Sequence, residues 1–262
     1  MYHPFSVAET IKTSWTVLRR NFVTLAVYSI LSLVIYGVVD FLNNFIFLGN
    51  SLTSQLVIAL VQMIIQSYLA LSFYKLILTL MDKQYYEFEF REIWPSIKMA
   101  VRFILVGLAY TALIALFVFI NLVLRDYDAI LAIVKPLEFI SIIYLLIRSI
   151  FCVCFIADDD SGTIEALKQS FWITRDNFFN TLGIVLIILL FMIITLIPII
   201  ILIGFLRPAA ADIDDTPAYI YKLAFYLWFV IAFPTVQVLI MVTYRKLVYS
   251  HQDVDDDLSE TN

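Results

Sequence analysis

An all-α integral membrane protein, a polytopic bundle of six transmembrane helices, is the fold class this sequence predicts, and three observations predict it. Of the 262 residues, 62% are apolar, and mean hydropathy is +0.93. That leaves too few polar residues to cover a soluble globule, so lipid must solvate much of the chain. Apolar runs long enough to cross a hydrocarbon core, which takes about 20 residues, recur at 22–39, 56–80, 101–124, 137–157, 178–205 and 218–242. Two amphipathic segments, 6–20 and 162–176, each reach an Asn-Phe pair and open at once onto an apolar run. A single membrane domain then takes residues 1–249. The acidic stretch 250–262 has the composition of a disordered tail.

The first helix starts at Ser6-Val7-Ala8-Glu9, a capping box in which hydroxyl and carboxylate satisfy otherwise orphaned amides. Val7, Ile11, Trp15, Leu18 and Phe22 then recur at helical spacing, with Glu9, Lys12, Thr16, Arg19 and Arg20 on the other side. A helix of that pattern lies in the membrane interface. Because it precedes the first apolar run and no small-residue cleavage site follows, the N-terminus does not read as a cleaved signal peptide. The first span closes at Asp40, and an uncharged loop, 43–55, leads to the second. There Gln62 and Gln66 share a face, with their amides expected to point at other helices. Residues 82–102 return to water, with Pro95 where a helix can start. The turn Arg125-Asp126-Tyr127-Asp128 leads through Lys135-Pro136 into the fourth span. Pro198 is expected to kink the fifth span, and the sixth carries Pro234 and Gln237.

Sliding the chain over itself by 156 residues pairs Glu9 with Glu165, Lys12 with Lys168, Ser14 with Ser170, Arg19 with Arg175, Asn21 with Asn177 and Phe22 with Phe178. Four spans separate the two segments, so this internal repeat is parallel, unlike the inverted repeats of many secondary transporters. Six spans put both termini on one side. The N-terminal segment, the flanks of the second and fourth loops and the end of the last span, all on that side, hold twelve Lys and Arg, against Arg125, Lys135, Arg207 and Lys222 on the other. The positive-inside rule makes the side of the termini cytoplasmic.

Arg148 is the one charge the reading places well inside a span, nine residues before Ala157. At about 1.5 Å per residue it lies roughly 14 Å from that boundary, where a charge costs on the order of 3 kcal/mol. It is either a ligand-binding site for an anionic head group or substrate, shared with Gln62, Gln66 and Gln237, or a structural cation that snorkels or bonds those amides or backbone carbonyls of neighbouring helices. The basic pairs Lys12/Lys168 and Arg19/Arg175 read as lipid-facing residues of the cytoplasmic surface or as ordinary anchors. Asp158-Asp159-Asp160, before a helix start, is explained by capping and the helix dipole rather than by a metal. His3 and His251 lie near opposite ends, and Cys152 and Cys154 point too far apart on one helix to bridge. No phosphate loop or nucleophile elbow occurs, so no catalytic residue, metal or cofactor is expected. The net charge of −5 gives no reason to expect nucleic acid.

Arg148, Asp158, then Gly162-x-x-Glu165-Ala166-Leu167-Lys168-x-Ser170-Phe171, then Asn177-Phe178, resembles the membrane domain found ahead of some glycerophosphodiester phosphodiesterases and that domain's stand-alone bacterial relatives. The resemblance implies a bacterial inner-membrane protein without the separate soluble hydrolase. The expected role is a non-enzymatic accessory protein or carrier that interacts with membrane lipids or another amphiphile, with room for a protein partner. The alternatives are a transporter or permease component for a small anionic solute and a membrane enzyme of lipid metabolism.

Overall fold

The computed structural model describes residues 6–46, 52–82, 90–209 and 216–259. Among them every regular element is helical: α1 (Val7–Ile46), α2 (Leu52–Asp82), α3 (Phe90–Ile93), α4 (Ile97–Val123), α5 (Asp128–Ser149), α6 (Cys152–Asp159), α7 (Thr163–Ile173), α8 (Phe178–Ala209) and α9 (Thr216–Ser259). Six helical segments are long and apolar enough to cross a membrane: Val7–Leu42, Thr53–Asp82, Arg91–Val123, Asp128–Asp159, Phe178–Ile203 and Leu223–Val248. The chain is an all-α multi-pass membrane protein. In the most apolar window of the third segment only 6% of residues are buried, and Leu105, Leu108, Ile114, Leu116, Val118 and Phe119 are all exposed. Such a surface is stable only in lipid.

Contacts group the chain into two compact units, Met1–Ile58 with Leu182–Asn262, and Ala59–Thr181. In the first, α1 packs along α9. Leu18 and Leu25 of α1, Ile184 of α8, and Val238, Met241, Tyr244 and Leu247 of α9 form the interior. Glu9 accepts an ion pair from Lys246 at 2.9 Å. Ser6 caps α1 as expected, its hydroxyl accepting from the Glu9 amide at 3.5 Å. α1 turns at Asn21, whose backbone leaves the helical region at φ −114°, ψ 15°.

In the second unit, α7 packs on α4, α5 and α6. The buried half of α2, from Ser67 through Leu71, Phe73, Leu76 and Ile77, supplies further core. Ser96 caps α4 by accepting from the Met99 amide at 3.2 Å. Tyr68 meets Trp94 with ring centroids 6.0 Å apart.

Several expectations are corrected. The fourth span does not wait for Pro136: α5 starts at Asp128 and carries that proline inside it, because one proline forfeits one backbone bond while propagation gains one at every other residue. The same segment is interrupted at Ile150-Phe151, between α5 and α6. α9 runs on to Ser259, so the acidic stretch is helical as far as that residue, extending a helix already nucleated in the span. α1 and α2 take residues 43–46 and 52–55 from the expected loop, whose centre, 47–51, lies outside the described residues. Residues 83–89 of the expected return to water and 210–215 of the loop before α9 lie outside them too.

Candidate functional site

The break between α5 and α6 positions the residues around Arg148. The helix stops at Ser149 and resumes at Cys152, and Phe151 between them is buried. α7 bonds the backbone at this break. The Ser170 hydroxyl donates to the Arg148 carbonyl at 2.8 Å and accepts from the Phe151 amide at 3.3 Å, and the Thr174 hydroxyl reaches the same carbonyl at 3.4 Å. Ser170 and Thr174 are completely buried. An orphaned backbone group in such a place costs as much as a lost hydrogen bond or more.

Arg148 occupies the last turn of α5, where a cation faces the negative end of the helix dipole. Its guanidinium carbon lies 5.2 Å from the centroid of the Phe171 ring, within cation–π range. Its Nε is buried and has no hydrogen-bond partner among the described residues.

Phe171 is also a wall of an open, almost wholly apolar groove of about 540 Å³, lined by Ala109, Tyr110, Leu113, Leu145, Ile164, Leu167, Lys168 and Phe171. This size falls within the range of about 300–1,000 Å³ usual for ligand sites. Lys168 is the one charged residue in the lining. Tyr110 is tied down by hydrogen bonds to Ser149 and to the Leu145 carbonyl.

The other sequence candidates fall elsewhere. Gln62 and Gln66 are exposed on α2 rather than turned to other helices, because the packed face of α2 begins only at Ser67. Gln237 belongs to the other unit, and its Oε1 is buried without a hydrogen-bond partner among the described residues. Lys12, Arg19, Lys168 and Arg175 are all exposed. The acidic run does not cap α7. Asp159 ends α6, Asp160 follows in the left-handed region at φ 51°, and Gly162 is the N-cap without a side-chain bond. The reason is Arg102 of α4, whose guanidinium binds both the carboxylate and the carbonyl of Asp160 and so holds the turn in another conformation. Among the described residues no group of three His, Cys, Asp or Glu is placed to hold a metal.

Arg148 is also not the sole charge inside its span. With α5 starting at Asp128, Glu138 lies ten residues into the helix and accepts from the Asn121 amide at 2.7 Å. Its other carboxylate oxygen and the Asn121 carbonyl oxygen are buried without hydrogen bonds among the described residues. Ten residues, about 15 Å along the helix, separate it from Arg148, too far for an ion pair. The sequence signal that could have revealed Glu138 was the apolar run on both sides of Lys135-Pro136; the proline hid it. Ser170 stood in the repeat and in the motif, but neither pointed to a bond with the backbone of α5, and Thr174 carried no signal.

Compared with protein-family models, with curated proteins and with solved structures, the chain matches none.

Proposed function

We propose that this membrane protein is a non-enzymatic, amphiphile-interacting accessory protein or carrier, and that its ligand is an anionic amphiphile held in the groove of the second unit. The observation that carries the reading is the groove's composition: an apolar slot with a single cation, Lys168, in its wall. A hydrocarbon chain lies against Leu113, Leu145 and Leu167 while an anionic head group meets the ammonium. Arg148 is then a positioning residue, since it touches Phe171 rather than the groove. Gln62, Gln66 and Gln237 have no part in this site.

The setting proposed is a bacterial inner membrane with both termini cytoplasmic, supported by the excess of Lys and Arg on that side. A relationship to the membrane domain of glycerophosphodiester phosphodiesterases is part of the same proposal and rests on the short motif from Arg148 to Phe178. The internal repeat is supported by burial at matched positions. Thr10 and Ala166, Ser14 and Ser170, Leu18 and Thr174, and Asn21 and Asn177 are all buried.

The test is native mass spectrometry of the protein released from its own membranes. Wild type is expected to retain an anionic amphiphile that Lys168→Gln loses and Arg148→Leu retains weakly. The same species at the same occupancy in all three proteins would remove this groove as the site.

A further inference from the structure

The first unit carries a two-part depression that none of the preceding argument uses. Its apolar part, about 160 Å³, lies between the start of α1, α8 and α9 and is walled by Ile11, Trp15, Leu18, Ile188, Phe191 and Leu239 among others. A dry cavity of about 150 Å³ accepts a benzene-sized apolar group, so this slot takes a segment of one hydrocarbon chain. Its polar part, about 380 Å³, is lined by Trp15, Thr16, Arg19 and Arg20. Trp15 belongs to both, so the apolar slot and the basic shelf meet at one indole that is 62% exposed.

The charges on this shelf point to an anion. The nearest acidic residue before Arg19 on α1 is Glu9, ten residues or about 15 Å away, and its carboxylate is held by Lys246 at 2.9 Å. The Thr16 hydroxyl already donates to the Lys12 carbonyl at 3.0 Å, so an anion on the shelf must be bound by guanidinium. Guanidinium matches the geometry of a phosphate's oxygens, where an ammonium is only a point charge. An indole between an apolar slot and a charged shelf sits as tryptophan does at the level of lipid head groups.

We infer that Trp15 and Arg19 form a site for an anionic phospholipid, with a chain segment in the slot beneath Trp15 and the head-group phosphate on the Arg19 guanidinium. The site lies in a different unit from the Lys168 groove and shares no residue with it, so each stands or falls alone. Ile11 and Trp15 nevertheless occupy the positions that Leu167 and Phe171 hold at the offset of 156 residues, and those two line the other groove. The same helical face thus borders an apolar slot in both units.

The test uses the full chain with Trp94→Phe, Trp172→Phe and Trp228→Phe, so that Trp15 is the sole indole, in vesicles of phosphatidylcholine doped with brominated phosphatidylglycerol or brominated phosphatidylcholine. Brominated phosphatidylglycerol is expected to quench Trp15 at about fivefold lower mole fraction, the effect of one cation near an anionic surface. Arg19→Gln should abolish that preference, Arg19→Lys should keep part of it, and Lys168→Gln should leave it unchanged. Equal quenching by the two lipids, or a preference that survives Arg19→Gln, overturns the site. Loss of the preference on adding inorganic phosphate also overturns it, by making the ligand a free anion. If the three-substitution background does not fold, native mass spectrometry of the four-Trp chain with added phosphatidylglycerol decides. Arg19→Gln must then retain one lipid fewer than the parent, and equal retention overturns the site.

Discussion

Ser170 shows how much one hydroxyl can carry in a membrane protein. It serves as donor to the Arg148 carbonyl and acceptor from the Phe151 amide at a place no water reaches. Ser170→Ala leaves both backbone groups with fewer partners and is expected to destabilise the protein by about 1–3 kcal/mol, read from unfolding in mixed micelles. Ser170→Thr keeps the hydroxyl and should recover most of that loss if the added methyl is accommodated. At Arg148 the stabilising contact is with a ring. A double-mutant cycle of Arg148→Met and Phe171→Leu is expected to return a coupling of about 0.5–2 kcal/mol; zero coupling would mean that the stacking contributes nothing. Arg148 itself was legible as the outlier in an apolar run. Its surroundings were not, because the residues that satisfy it lie some twenty positions onward, on a helix whose packing against α5 no local pattern encodes.

At the scale of the elements, the first fourteen residues of α1 and the whole of α7 pack by the same logic. The buried face of α1 is Thr10, Ser14, Leu18 and Asn21, while Ile11, Trp15 and Phe22 are exposed. The apolar stripe is therefore turned about 70° round the helix from the packed face. In lipid, apolar side chains gain nothing by leaving the surface, so helices meet through small and hydroxyl residues that let backbones approach. The amphipathic pattern was visible in the sequence, but a soluble-protein reading of it would have buried the wrong side.

Gly183 of α8 tests the packing of this region. A β-carbon added there would meet only Val7, at 3.8 Å, an ordinary contact, so Gly183→Ala is expected to stabilise the protein by about 0.5–1 kcal/mol. A loss instead would mean that α1 and α8 approach more closely. The α4–α5 hairpin offers the opposite sign. Asn121→Leu removes the amide that donates to Glu138, leaves a carboxylate in an apolar run, and should cost about 1–3 kcal/mol. Adding Glu138→Leu should return most of it.

For the whole molecule, six spans fix the parity of the topology whatever the ligand. Reporters fused at the two termini are expected on the same side of the membrane, and one inserted at Arg125–Tyr127 on the opposite side. A split between the termini would require an odd number of crossings and would overturn the six-span assignment. The proposed cytoplasmic side rests on the distribution of Lys and Arg, and moving that charge bias should invert the orientation.

Composition and the length of the apolar runs sufficed to determine the class and the number of helices long and apolar enough to cross a membrane, because the energy of moving a side chain between water and hydrocarbon depends on that side chain and its neighbours along the chain alone. Tertiary structure alone decided what each polar residue does. It turned Asp160 from a helix cap into a partner of Arg102, left Gln62 and Gln66 facing outward, and paired Glu138 with Asn121. It also set Phe171 both beneath the Arg148 guanidinium and in the wall of the groove that Lys168 lines. A polar group inside a membrane must find its partner in the protein, and which partner comes within 3 Å depends on how distant helices pack, which spacing along the sequence does not carry.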